Sequence, residues 1–233
     1  MENLKNYTKQ ALSGIIVILI YYFGSYIDLF MFNLFGVNTD NISLLPKIIC
    51  SLAASFTTLA AIMLVFHKKI EKDIEDIKKN HKEYYSKYFK FWLIGLAIMM
   101  ISNLLIMLFT KNELPANEQA IRDLMDISPI YIYISAVFIA PLIEELVFRQ
   151  GIRNIITNKI FFIIVSGLVF GGLHVITDFS SALDLLYLIP YCTPGFIFAY
   201  MLAETDNIFV SSGFHLLHNG LLISLQFFVL IFG

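Results

Sequence analysis

A charge in hydrocarbon costs about 2.5–3.5 kcal/mol on insertion scales, so ionisable residues inside apolar runs are the first candidates for chemistry. Glu144, Glu145 and Arg149 lie in one such run, His174 in the next, and His215, His218 and Asn219 in the last. Glu145 and Arg149 are four residues apart, so on a helix they share a face and can pair. Glu144 is turned about 100° from Glu145 and is left to point into a cavity as a general base and acid. His215 and Asn219 are also four apart, and both can donate hydrogen bonds. Two convergent donors suit the oxyanion that forms when water attacks a carbonyl. His218 reads as a partner on the His215 face or as a supporting group. His174 follows Phe170 by four in VFGGLH, where Gly171 and Gly172 let another helix approach closely. A structural Glu–Arg pair beside isolated buried histidines is the plainer alternative. Polar groups on three separate helices, with three of the five histidines, point instead to one shared interior site.

The elements that position these groups must be membrane-spanning helices. Of 233 residues, 58% are hydrophobic and 15% charged. Soluble domains run at about 45–50% apolar and about 25% charged. The composition excludes a disordered chain, a collagenous fibre and a disulfide scaffold. A net charge of −2 implies no nucleic-acid surface. Cys50 and Cys192 fall in apolar runs and suggest neither a disulfide nor a Cys-type metal site. The expected fold is all-α, a polytopic bundle of about seven to eight spanning helices. Seven segments qualify: 11–35, 44–67, 91–110, 129–150, 159–176, 185–203 and 207–232. The first is too long for the apolar region of a signal peptide and reads as an anchor. The sixth carries Pro190, Pro194 and Gly195, which predict a kink or break. Asp28 is expected at the outer interface. Residues 1–127 read as accessory spans and loops, and 128–233 as the catalytic core.

Two loops are long. In 68–90, Ile70, Ile74 and Ile77 and then Tyr84, Tyr85 and Tyr88 predict an amphipathic helix on the inner membrane surface. The polar stretch 111–128 is placed outside. With a cytoplasmic N-terminus, thirteen of the sixteen basic residues lie inside, which sets the orientation. Rise per residue places Glu144, His174 and His215 at depths that differ by up to a turn or two.

The motifs Glu144-Glu145-Leu-Val-Phe-Arg149, Phe170-Gly-Gly-Leu-His174 and His215-Leu-Leu-His-Asn219 resemble, in that order, the CPBP family. That family comprises type II CAAX prenyl endopeptidases and related bacteriocin-processing and immunity (ABI) proteins. The resemblance covers about the last 105 residues. It implies an intramembrane endopeptidase of eight or so helices, cutting a peptide or membrane-protein substrate within the lipid bilayer. It implies that Glu144 and His174 activate a water, that His215 and Asn219 hold the oxyanion, and that Glu145, Arg149, Phe170 and His218 support them. One departure is that Gln150 separates Arg149 from Gly151, where the family usually has Gly directly after the Arg. A water activated by glutamate without metal is the expected chemistry. A zinc ion held by Glu144, His174 and His215 is the alternative, although the chain has no His-Glu-x-x-His helix. Two further functions stay open: a non-catalytic regulator or immunity protein that binds a partner, and a transporter or proton relay. No matching pair of broken segments in two halves supports the transporter.

Overall fold

The computed structural model describes residues 2–34, 43–110, 116–176 and 182–232, and its regular elements are all helical. Hydrocarbon offers no partner to a backbone N–H or C=O, so a lipid-exposed apolar chain satisfies these groups within each helix. The elements are α1 (Glu2–Leu34), α2 (Leu44–Val65), α3 (His67–Phe109), α4 (Ala116–Ile127), α5 (Pro129–Ile155), α6 (Lys159–Ile176), α7 (Ala182–Thr205) and α8 (Ile208–Phe232). Among the described residues six of them, α2, α3 and α5 to α8, are long and apolar enough to cross a membrane. They carry the second to seventh expected spans, and the first expected span falls largely within α1. The Asp28 side chain and residues 111–115 lie outside the described residues. The chain is an all-α, multi-pass membrane protein.

Four features depart from the apolar pattern. First, the charged segment 68–90 is not a separate surface helix. It runs on into the third span as one helix of 43 residues, about 65 Å long at the α-helical rise. Its apolar face is spent on the protein. Ile70 is buried with Ile62, Phe66, Leu202 and Ile208, while Tyr88 and Trp92 are buried with Phe198, Met201 and Phe214. Second, part of the outer polar stretch is helical, as α4. Its Met125 is buried with Ile132, Val137 and Ile223, and an Arg122–Glu118 ion pair of 2.6 Å lies along its length. Third, α7 is unbroken from Leu188 to Thr205 despite two prolines. Pro190 lies in the first turn of that α-helical part, where its missing N–H costs nothing. A 3₁₀ turn, Ala182–Tyr187, precedes it. Fourth, α5 contains two π-helical turns, Tyr133–Ile139 and Glu145–Gly151.

A polar lock joins α3 to the α7–α8 turn. The Ile208 N–H donates to Asp73 Oδ2 at 3.0 Å, which caps α8 from a residue 135 positions away. Asn207 Nδ2 donates to the Asp73 carbonyl at 2.9 Å and to Asp76 Oδ2 at 2.7 Å. The Asn207 amide, helped by Asn80 and Tyr84, holds the Asp76 carboxyl below the usual carboxylate range. Tyr85 donates from its hydroxyl to the Phe209 carbonyl at 2.9 Å.

Close packing at small residues sets the remaining geometry. The most extensive helix pair is α6 with α7. A Cβ on Gly171 would lie 2.6 Å from the Cys192 nitrogen and 2.8 Å from its Cα. A Cβ on Gly14 of α1 would collide with the Gly151 carbonyl of α5. Nearby, Tyr7 donates to the Ile155 carbonyl at 2.9 Å, and Asn154 donates to Ser13 at 2.9 Å. So α1 packs directly on α5.

Candidate active site

The second π turn of α5 carries Glu145 and Arg149, both with fully buried side chains (0% exposed), with Nε and Oε1 3.4 Å apart. Glu145 Oε1 also accepts from His215 Nδ1 at 3.0 Å. A buried charge must be held on several sides or it is destabilising. For Arg149 the further support is aromatic. Its guanidinium lies 4.3 Å from the Phe170 ring centre and 5.9 Å from that of Phe198. Among the described residues its terminal nitrogens meet no hydrogen-bond acceptor.

His215 Nε2 lies 3.6 Å from Glu144 Oε2. The imidazole therefore stands between two carboxylates, Glu145 on Nδ1 and Glu144 on Nε2. The sequence pattern separates these glutamates by rotation, and the structure adds that both reach the same histidine. They differ in access, since Glu144 keeps 17% side-chain exposure where Glu145 has none. Phe198 stacks on His215 at 4.9 Å and 28°, and Phe170 meets it edge-on at 5.6 Å. The expected mismatch in depth between Glu144 and His215 is thus closed.

His174 Nδ1 lies 2.8 Å from the Phe170 carbonyl. A carbonyl only accepts, so Nδ1 carries a proton and donates this bond. The ring packs on Phe170 at 4.6 Å and stacks on Tyr191 at 5.2 Å. Phe170 is the bridge, with its ring against Arg149, His174 and His215. Asn219 does not stand free beside His215. Its Nδ2 donates to the Ala136 carbonyl in the first π turn at 2.8 Å, which commits one of its two amide hydrogens. His218 is buried, edge-on to Phe198 at 6.0 Å.

Among the described residues no three His, Cys, Asp or Glu side chains form a group able to hold a metal ion.

Residue types alone did not disclose Phe198 and Tyr191. Both sit on α7, which has no charged residue between Asp184 and Glu204 to draw attention to it. The one available signal is that they are seven residues apart, two turns along one face. Ser166 was missed as well. It is buried and donates to the Phe148 carbonyl of the second π turn at 2.6 Å.

The fold and site define a multi-pass helical membrane protein with a buried Glu–Arg–His cluster beside a second histidine. Residues 126–221 match the family model described as type II CAAX prenyl endopeptidase Rce1-like. The chain is similar to "Putative membrane peptidase YdiL" of Bacillus subtilis (strain 168), 33% identical over 113 residues, covering 47% of this chain and 43% of that protein. It is similar to an "Uncharacterized protein" of Mycoplasma capricolum subsp. capricolum, 33% identical over 187 residues, covering 72% and 52%. It is similar to "UPF0177 protein YxdF" of Lactococcus lactis subsp. lactis, 30% identical over 132 residues, covering 54% and 70%. The chain spans about half the length of the first two relatives. No solved structure matches it. The chain belongs to the Rce1-like family, whose activity is of the membrane-peptidase type.

Proposed function

We propose that this protein is an intramembrane endopeptidase that hydrolyses a peptide bond of a peptide or membrane-protein substrate. The observation that carries the reading is His215 held between Glu144 and Glu145 inside an apolar bundle. Glu144, the more exposed carboxylate, takes a proton from water with the help of His174, which accepts through Nε2 when its ring is neutral. The water oxygen adds to the substrate carbonyl carbon, and the carbonyl electrons move onto oxygen. His215 and the uncommitted amide hydrogen of Asn219 stabilise that oxyanion. As the oxyanion collapses, the C–N bond breaks and the proton passes from Glu144 to the leaving nitrogen. Glu145 fixes the orientation of His215, and Arg149 fixes Glu145. No step needs a metal. The N-terminus is cytoplasmic, and the substrate enters from the cytoplasmic side.

The test is cleavage of a peptide library by purified protein in detergent, with and without a chelator. Wild type cuts, Glu144→Gln loses at least about 100-fold, and the chelator changes nothing. Equal cutting by wild type and Glu144→Gln overturns the assignment of the base. Loss with chelator that zinc restores overturns the metal-free reaction. No cutting by wild type, with a cellular phenotype that Glu144→Gln still complements, replaces the peptidase with a partner-binding regulator.

A further inference from the structure

Ser166 takes no part in the proposed reaction, yet it ties together the helices that carry Glu144 and His174. Its side chain is fully buried, and its hydroxyl donates to the Phe148 carbonyl at 2.6 Å. In an unbroken α-helix that carbonyl would accept from the Ile152 N–H. At the end of the second π turn the Ile152 N–H goes to the Arg149 carbonyl. A buried carbonyl released in this way needs another donor, and α6 supplies it. The first π turn repeats the arrangement. The Ala140 N–H goes to the Ser135 carbonyl, and the neighbouring Ala136 carbonyl accepts from Asn219 of α8. There the side chain that takes the released carbonyl is a proposed oxyanion donor.

The place of Ser166 on α6 gives this bond its leverage. Ser166, Phe170 and His174 are spaced by four, so they share one face of the helix. Glu144 lies four residues before Phe148, one turn along α5. The bond therefore joins α6 to α5 two turns from His174 and one turn from Glu144. The other contacts of this face with the second π turn are made by rings. Phe170 meets Phe148 edge-on at 6.3 Å and lies 4.3 Å from the Arg149 guanidinium. Ring contacts let two helices slide, whereas a short hydrogen bond is directional. Among the described residues no other hydrogen bond joins α5 to α6.

We propose that Ser166 is a positioning residue: its hydrogen bond to the released Phe148 carbonyl holds α6 against α5 at the register that sets His174 beside Glu144. The functional part of this inference rests on the peptidase reading, and the structural part, the tether between the helices, does not.

Ser166→Ala tests both parts. In hydrogen–deuterium exchange of purified protein in detergent, read by mass spectrometry, the amides of 145–153 are expected to exchange at least about tenfold faster than in wild type, and those of 88–106 in α3 at the wild-type rate. On a peptide that wild type cleaves, Ser166→Ala lowers kcat by about 10- to 100-fold with KM within about twofold. In a His174→Gln background the same substitution changes kcat by no more than about twofold, because a residue that acts through His174 then has nothing left to position. An equal loss in the two backgrounds overturns the inference, as does an unchanged kcat in Ser166→Ala or unchanged exchange over 145–153. A wild type that cleaves nothing, with the faster exchange present in Ser166→Ala, overturns the peptidase reading and leaves the tether standing. If Ser166→Ala fails to fold, Ser166→Cys, whose thiol is a weak donor, carries the same measurements.

Discussion

The two histidines of the site are held by different kinds of group, and this gives them different work. His215 has a carboxylate at each nitrogen, at 3.0 and 3.6 Å, and is suited to donating. His174 gives its only committed proton to a carbonyl and is suited to accepting. Glu145 is central to this division because one oxygen, Oε1, serves both Arg149 and His215. Removing one partner of a buried pair leaves the other uncompensated, at a cost of about 3–5 kcal/mol, whereas replacing both with apolar groups is often neutral. Arg149→Met is therefore expected to lower stability by about 3–5 kcal/mol, and Glu145→Leu/Arg149→Met to recover most of it. Thermal unfolding in detergent measures this, and a double variant no more stable than Arg149→Met refutes it. Cleavage should not return in the double variant, since His215 loses its Nδ1 acceptor. The Glu145–Arg149 pair was legible because a spacing of four is a geometric statement about one helix. The capture of His215 by both glutamates was not, because it depends on how α5 and α8 face each other across 70 residues of chain.

At the scale of elements, the π turns explain how α5 serves the site. A π turn widens the helix and leaves carbonyls without their usual i+4 donors, and such turns are frequent at functional sites. Here each turn has a carbonyl taken by a side chain from a neighbouring helix: Ala136 by Asn219 and Phe148 by Ser166. The pattern of apolar residues does not encode this, because Tyr133–Ile139 is as apolar as an ordinary spanning turn. The helical spans themselves were legible, since hydropathy and length fix them. The outcome for the charged arm was not, because Asp73 and Asn207 are 134 residues apart and each alone looks like a solvated polar residue. Two tests belong here. Gly171→Ala places a methyl group against the Cys192 backbone and is expected to cost about 1–3 kcal/mol and to depress cleavage through His174. Gly95→Ala meets only the flexible end of Ile197 and should be tolerated in both assays. Equal damage from the two would mean that the α6–α7 approach does not position the site. Asp73→Ala removes the cap on α8 and is expected to lower stability by about 0.5–2 kcal/mol, read by thermal unfolding.

For the whole molecule, the contacts collect the basic residues at one end of the bundle. Lys69 and Lys72 pair with Asp206, Lys159 pairs with Glu204, and Tyr7 reaches Ile155. These contacts place the first helix, the charged arm of α3, the α5–α6 turn and the α7–α8 turn together. The lysines of 68–90, Arg153, Lys159 and the neighbourhood of Lys5 and Lys9 therefore share one side. The bias toward positive charge in cytoplasmic loops then predicts that this side faces the cytoplasm. The cost of the alternative is cumulative, because every one of these residues would have to cross the membrane together. Helix α4, with Arg122 and Glu118, lies between the third span and α5 and so falls on the opposite side. Single cysteines report this directly, against a background lacking Cys50 and Cys192. Lys82→Cys is expected to react with a membrane-impermeant maleimide only after cells are opened, and Arg122→Cys to react in intact cells. The reverse pattern would put the charged arm outside and would move the proposed entry of substrate to the other face of the membrane. Labelling of both positions in intact cells would mean that the chain does not hold one orientation, and the charge bias would then have failed as its determinant.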